Sequence, residues 1–277
     1  MENVDNTLKP IHIDKVFESK NPKLARRIPA FVFNKLKSII CEDKINDFIS
    51  KYGERKGIEF ADAVVEYLDL KLEIKGKENL PPANGRYIFV SNHPLGGPDG
   101  IALISFLGKY YQDIKFPVND ILLNLKNLNN VFLPVNKHGR MSKDAVKNIE
   151  QAYASDSQMI MFPAGLCSRK IKGEIVDLKW QKNFVSEAIK HQRDIVPIFI
   201  SGRNSDFFYN LSNLRKKLKV KANIEMLWLP KETFDKQGER LVISIGKPIH
   251  WQSLDKSKKS QEWADEIREY TYRNLKI

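Results

Sequence analysis

The chain is poor in cysteine: only Cys41 and Cys167 occur in 277 residues. So few thiols in a chain this long make no disulfide framework, and they point to a reducing compartment. Long apolar runs are missing too. The longest, around Ile28–Phe33, Ile101–Leu107 and Met159–Cys167, are each broken by Pro, Ser or Gly. All fall short of the ~18 residues that cross a bilayer as a helix. The opening MENVDNTLKPIHIDK has no basic stretch followed by an apolar one, so no secretory leader is expected. Internal repeats and low-complexity tracts are absent. There is no G-x-S-x-G nucleophile elbow, and His12, His191 and His250 show no metal-ligand spacing, so no metal is expected. Acidic charge is in deficit: 34 Asp+Glu face 46 Lys+Arg, a net charge of +12. That excess implies an anionic partner, which is nucleic acid, anionic lipid, or an acidic carrier or substrate. No helix-turn-helix, zinc or RNA-binding motif is found, and aromatics do not interleave with the basic runs, so no nucleic-acid partner is expected.

What is present divides in two. The first third reads as helical. Asn21-Pro22 is a cap followed by a first-turn proline. Ile28, Phe31, Val32, Leu36, Ile39 and Ile40 then recur at helical spacing, with Pro29 kinking or restarting the helix. Further helical patterns cover about 42–51 and 59–68, and Leu70, Leu72 and Ile74 alternate with Lys71 and Glu73 as in a strand. The turn cluster NLPPANGR at 79–86 marks the best boundary. It separates a helical region over 1–78, open to membrane-surface contact, from a domain over 79–277. Beyond Tyr87, apolar runs at 87–90, 131–135, 158–162, 195–200, 224–229 and 241–245 alternate with helical stretches at 99–109, 142–154, 178–192 and 205–217, and 261–275 closes the chain as a helix. This order predicts an α/β layered domain with a largely parallel or mixed central sheet flanked by helices, preceded by the helical N-terminal region.

The chemistry is concentrated in V-S-N-H-P-L-G-G-P-D-G at 90–100, which follows a predicted strand and opens a predicted helix. Ligands of open α/β sheets sit at the carboxyl ends of strands. A loop with two glycines and two prolines can fold Asp99 back onto His93. A carboxylate on one imidazole nitrogen fixes the tautomer and makes the other nitrogen a base, with a substrate hydroxyl or amine as nucleophile. The plainer reading is a helix-start histidine with Asp99 as a capping residue. Basic residues follow three strand ends: Lys137, His138, Arg140 and Lys143; Arg169, Lys170 and Lys172; and Arg203. Converging on one side of the sheet, they would hold a phosphate, a carboxylate or a phosphopantetheine carrier. Arg169 is the favoured anion ligand because Gly165 lets backbone approach the site. The run Arg215, Lys216, Lys217, Lys219 and Lys221 reads as a solvated helix end or as a contact with anionic lipid or an acidic carrier.

S-N-H-P-L-G-G-P-D-G resembles the first motif of the lysophospholipid (glycerol-phosphate) acyltransferase superfamily, which is Asn-His, four residues, then Asp. Val131-Phe132-Leu133-Pro134-Val135-Asn136 through Arg140 is similar to its second block, Phe162-Pro163-Ala164-Gly165-Leu166-Cys167-Ser168-Arg169 to the third, Ile195-Val196-Pro197-Ile198 to the fourth, and Gly246-Lys247-Pro248-Ile249 to a common late element. There are departures. Five residues separate His93 from Asp99, Ala164 stands at the third block's Glu, and Cys167 stands at its Arg with Arg169 two residues on. These departures resemble the hemolysin-like bacterial branch, similar to ornithine- and glycine-lipid acyltransferases.

The resemblance implies a membrane-associated transferase of bacterial lipid biosynthesis. It would move a fatty acyl group from an acyl carrier protein or coenzyme A thioester to the hydroxyl of a lyso-lipid, lysophosphatidic acid or a lyso-aminolipid. No bound cofactor, metal or acyl-enzyme is implied. His93 and Asp99 would be catalytic, and Asn92, Gly97, Arg140, Gly165 and Arg169 substrate-binding. The expected place is cytoplasmic, peripheral on the inner face of the cell membrane. Alternatives are an N-acyltransferase acting on an amino acid or amine, and a catalytically inactive lipid-binding relative.

Overall fold

A computed structural model describes residues 10–20, 29–119, 122, 125–135 and 142–276. Before the sheet come α1 (Ile13–Lys20), α2 (Ala30–Ile40), α3 (Glu42–Tyr52) and α4 (Gly57–Tyr67). The expected start at Asn21-Pro22, and Ile28, lie outside the described residues. The strands are β1 (Lys71–Lys75), β2 (Tyr87–Ser91), β3 (Ile114–Asn119), β4 (Phe132–Val135), β5 (Gln158–Met161), β6 (Arg169–Ile171), β7 (Glu174–Val176), β8 (Asp194–Ile200) and β9 (Arg240–Ile245). Between and after them lie α5 (Pro98–Leu107), α6 (Lys143–Ala154), α7 (Asn183–His191), α8 (Asp206–Lys217), α9 (Leu229–Phe234) and α10 (Ser260–Asn274).

Seven strands form one mixed sheet in the order β1-β9-β8-β2-β5-β3-β4, while β6 and β7 make a separate hairpin. The pairs β8·β2, β2·β5, β5·β3 and β3·β4 are parallel, as is β1·β9; β9 meets β8 antiparallel. The architecture is the α/β layered one expected. Central β2 is buried at every position and β8 at all but its first. Both read as unbroken apolar runs because helices cover both faces. Tyr87 and Phe89 point into a core with Phe60, Leu103 and Val196, and Ile88 and Val90 into a second core with Trp180, Phe184 and Ile195. Edge strand β1 exposes Lys71 and Lys75, charges that discourage pairing with another chain.

The expected boundary at Asn79 lies between β1 and β2, two strands of one sheet. Phe48 and Phe60, from the helical region, belong to the same core cluster as Phe89 and Ile243. Two expectations are corrected. Residues 224–229 form a 3-10 turn, Ile224–Trp228, leading into α9 rather than a strand. Their alternation misleads because the buried member is charged: Glu225 is inside, while Ile224 and Leu227 face out. The helix expected over 178–192 begins only at Asn183, and the preceding loop instead buries Trp180.

Candidate active site

β2 delivers the chain to the site through Asn92. Its Nδ2 donates to the Ile200 carbonyl at 2.9 Å, and its Oδ1 accepts the Ile200 N–H at 2.7 Å. This buried amide fastens the exit of β2 to the end of β8, so the next residue starts from a fixed point. His93 follows. Its backbone N–H donates to Asp177 Oδ1 at 3.2 Å, and its carbonyl accepts the Ser168 N–H at 2.7 Å. The chain then turns through Gly96, whose φ of +85° lies in the left-handed region that favours glycine. Pro98 opens α5, and Asp99 sits in its first turn, where the positive end of the helix dipole favours a carboxylate.

His93 Nδ1 lies 2.9 Å from Asp99 Oδ2. The same oxygen accepts the Leu95 N–H at 2.8 Å and the Gly96 N–H at 3.2 Å, while Oδ1 accepts the Gly100 N–H at 3.0 Å. Burial pushes the Asp99 carboxyl up, but the His93 charge and hydrogen bond and the Leu95 and Gly96 N–H groups outweigh it and hold it below the ordinary carboxylate value. An ionised Asp99 accepts a hydrogen bond from Nδ1–H, which keeps the proton on Nδ1 and leaves the Nε2 lone pair available as a base. Asp99 is inaccessible, whereas the His93 side chain keeps 17% of its surface exposed. The imidazole is clamped flat by Phe162, with ring centroids 4.1 Å apart and planes 18° apart, and Phe116 packs edge-on against Phe162 at 5.2 Å.

Asp177 went unnoticed in the sequence. Its carboxylate accepts from the His93 N–H, from Ser168 Oγ and from Trp180 Nε1 at 2.9 Å, and its own N–H donates to Tyr272 Oη at 2.9 Å. Burial pushes this carboxyl above its usual range against the pull of those donors. Asp177 therefore ties the His93 loop to the 162–169 loop and the terminal helix. Nothing in V-D-L-K-W signals this, because its partner lies 84 residues away.

The other expected site residues fall into three groups. Asn92 spends both amide atoms on Ile200. Gly97 and Gly165 lie on the two loops that flank His93. A Cβ at Gly97 would come within 3.3 Å of Thr233 Oγ1, and Gly165 has a φ of +66°. Arg140, with Lys137 and His138, lies outside the described residues. Arg169 does not face open space. Its guanidinium is buried, donating to the Cys167 carbonyl at 2.7 Å and to Glu225 Oε1 at 3.0 Å. Arg215 Nε approaches the other Glu225 oxygen at 2.8 Å. Both terminal nitrogens are committed inside the protein, so Arg169 stands in an internal bracing position rather than the open one expected. Of the three basic strand-end groups, the described residues bring two together: Lys170 and Arg203 both pair with Asp206. Buried Cys167 has its thiol pushed up by burial, which disfavours a nucleophilic thiolate.

Residues 15–276 match the family model described as Acyltransferase. The lyso-glycine lipid O-acyltransferase of Bacteroides thetaiotaomicron is 47% identical over 270 residues, covering 97% of this chain and 99% of that one. The protein of the same name from Phocaeicola vulgatus is 46% identical, covering 97% and 96%. Among solved structures, the 1-acyl-sn-glycerophosphate acyltransferase of Thermotoga maritima is similar at 18% identity and a TM-score of 0.48, over 96% of this chain and 87% of that one.

Proposed function

Because the chain belongs to the acyltransferase family, we propose that it moves a fatty acyl group from a thioester to the hydroxyl of a lyso-lipid, with a lyso-glycine lipid as acceptor. The observation that carries the reading is the His93–Asp99 pair, 2.9 Å apart at the carboxyl end of a central strand. Asp99 holds Nδ1–H, so Nε2 takes the proton as the acceptor oxygen attacks the thioester carbonyl. The tetrahedral intermediate expels the thiolate, which takes the proton back from the imidazolium. An ester forms, a thiol leaves, and His93 is restored without an acyl-enzyme. Phe162 limits the imidazole to one plane, which keeps Nε2 aimed. The names and identities of the two curated relatives support the hydroxyl acceptor over an amine.

Acyl carrier protein or coenzyme A serves as donor in this reading, and the enzyme works peripherally on the inner face of the cell membrane. Among the described residues no helix is long and apolar enough to cross a membrane. Supporting a surface contact are the net charge of +12 and Phe31 on α2, which is 73% exposed. The test is turnover of purified protein with acyl carrier protein and coenzyme A thioesters on lyso-glycine lipid, lysophosphatidic acid and a free amino acid. His93→Ala is expected to lower turnover by ~10²–10⁴-fold while keeping the wild-type circular dichroism. Near-wild-type turnover would remove His93 as the base, and preference for the amino acid would overturn O-acyl transfer.

A further inference from the structure

Helix α8 turns two opposite kinds of surface to its two sides. Phe208, Tyr209, Ser212 and Arg215 are buried. Phe207, Leu214 and Leu218 are 53%, 52% and 64% exposed, with half-buried Leu211 between them. Positions 207, 211, 214 and 218 share one helical face, so they form a stripe of apolar groups directed at solvent. The stripe continues beyond the helix. The Phe207 ring lies 5.4 Å from that of Trp228, in the 3-10 turn whose Leu227 is 53% exposed. Apolar side chains gathered in this way on a surface mark an interaction site.

The charges around the stripe say what covers it. Lys216, Lys217, Lys219 and Lys221 are all exposed, and none makes an ion pair among the described residues. The apolar strip is thus rimmed by free ammonium groups at its C-terminal end, a match for an anionic headgroup layer over hydrocarbon. The position of the strip relative to His93 is the second argument. The segment carrying Leu227 runs directly into α9, and α9 presses on the catalytic loop. A Cβ at Gly96 would be 2.9 Å from the Leu229 side chain, and one at Gly97 3.3 Å from Thr233 Oγ1. Glu225, in the same turn, braces Arg169 of the neighbouring loop. One short segment therefore links the exposed stripe to the loops that hold His93.

We infer that the outer face of α8 and the following 218–227 segment dock on an anionic lipid bilayer, placing the His93 loop next to the surface from which a lipid acceptor is drawn. This inference rests on the proposed lyso-lipid reading. It adds a docking element beside the N-terminal helices, since α2 packs against the same 224–234 segment.

The test uses the whole protein, Leu214→Asp with Leu218→Asp, and Lys216→Glu with Lys217→Glu. Each is sedimented with vesicles of equal parts phosphatidylglycerol and phosphatidylcholine, and with phosphatidylcholine alone. Wild type is expected to bind the mixed vesicles, less at high salt. Each double variant should bind ~10-fold more weakly or worse, from the loss of inserted side chains or the reversal of two charges. Thiol release from detergent-dispersed donor and acceptor should be unchanged in all three. Equal vesicle binding by wild type and variants would overturn the inference. So would intact vesicle binding combined with slower turnover on acyl carrier protein thioester, which would make the face a carrier dock. Turnover of dispersed substrates without any vesicle binding refutes the surface and leaves acyl transfer standing. Vesicle binding lost in the variants, with no turnover by wild type, keeps the surface and refutes acyl transfer.

Discussion

Replacing Asp99 by Asn isolates one negative charge. The carboxylate accepts four donors: His93 Nδ1, Leu95 N and Gly96 N on Oδ2, and Gly100 N on Oδ1. An amide has one oxygen, so in either orientation its NH₂ faces at least one N–H. With oxygen in the Oδ2 position the NH₂ opposes the Gly100 N–H; flipped, it opposes the imidazole and two backbone donors. The imidazolium formed during attack also loses the charge that stabilises it. The rate is expected to fall ~10²–10⁴-fold, and folding stability by ~1–3 kcal/mol, the cost of unmatched buried polar groups. A pH signature accompanies this. Asp99 is held below the ordinary carboxylate value, so its contribution to stability is full above about pH 4 and is lost as pH falls through the lower folded value. Asp99→Asn should flatten that part of the acid-unfolding curve. The assay is thiol release from an acyl thioester with lyso-lipid present, alongside thermal melts from pH 2 to 7 read in the ~mM buffer range where screening is small. Turnover within about threefold of wild type, by a protein with a lowered melting point, would refute the orienting role and leave Asp99 a helix-cap residue.

Two further predictions concern buried arginines. Arg169→Ala leaves Glu225 buried with one arginine, Arg215, instead of two, and breaking such a cluster costs ~3–5 kcal/mol. The melting point should drop, while KM for donor and acceptor, measured where the protein is folded, should hold; a raised KM at full stability would restore the anion-binding role. Arg193 is inaccessible and donates to the carbonyls of Tyr153, Ser157 and Ala152 at 2.8, 2.7 and 3.2 Å, its own pKa lowered by burial to about 10. Arg193→Lys cannot reproduce that fork and should cost ~3 kcal/mol in chemical denaturation, with kcat little changed below the transition. A denaturation midpoint equal to wild type would show that water replaces those bonds.

The parts of the fold that were legible are those where local pattern and final environment agree. Residues 87–90 and 195–200 are unbroken apolar runs because both faces are covered. Three parts were hidden by long-range facts. β3 contains Pro117, which ordinarily argues against an interior strand. It is tolerated because, among the described residues, β3 pairs with β5 at Ile114 and Lys115 alone, so Pro117 takes no place in that ladder. The β6–β7 hairpin turns at Lys172-Gly173, both at positive φ, a weaker signal than the Asn-Gly that marks most such turns. The 224–229 segment alternates like a strand, but its inward residue is Glu225, explained only by arginines 56 and 10 residues away.

The site shows the same division, and its spacing shows why. Five residues between His93 and Asp99, instead of the four of the motif it resembles, would misplace the carboxylate if the loop were regular. The turn at Gly96 nevertheless brings the carboxylate to the imidazole. The φ of +85° at this glycine bends the chain so that its own N–H and that of Leu95 point at Asp99 Oδ2 beside His93 Nδ1. The longer loop thus brings a further donor, the Gly96 N–H, to the carboxylate. The third-block departures follow the same logic. With Ala164 and Cys167 where Glu and Arg are expected, the arginine arrives two residues later, at the start of β6. There its partner is Glu225, supplied from beyond α8. The charge pair at this loop therefore joins segments far apart in sequence and is turned inward. Motif spacing could reveal that something had moved; only the packing of the 224–234 segment against the loop could reveal where.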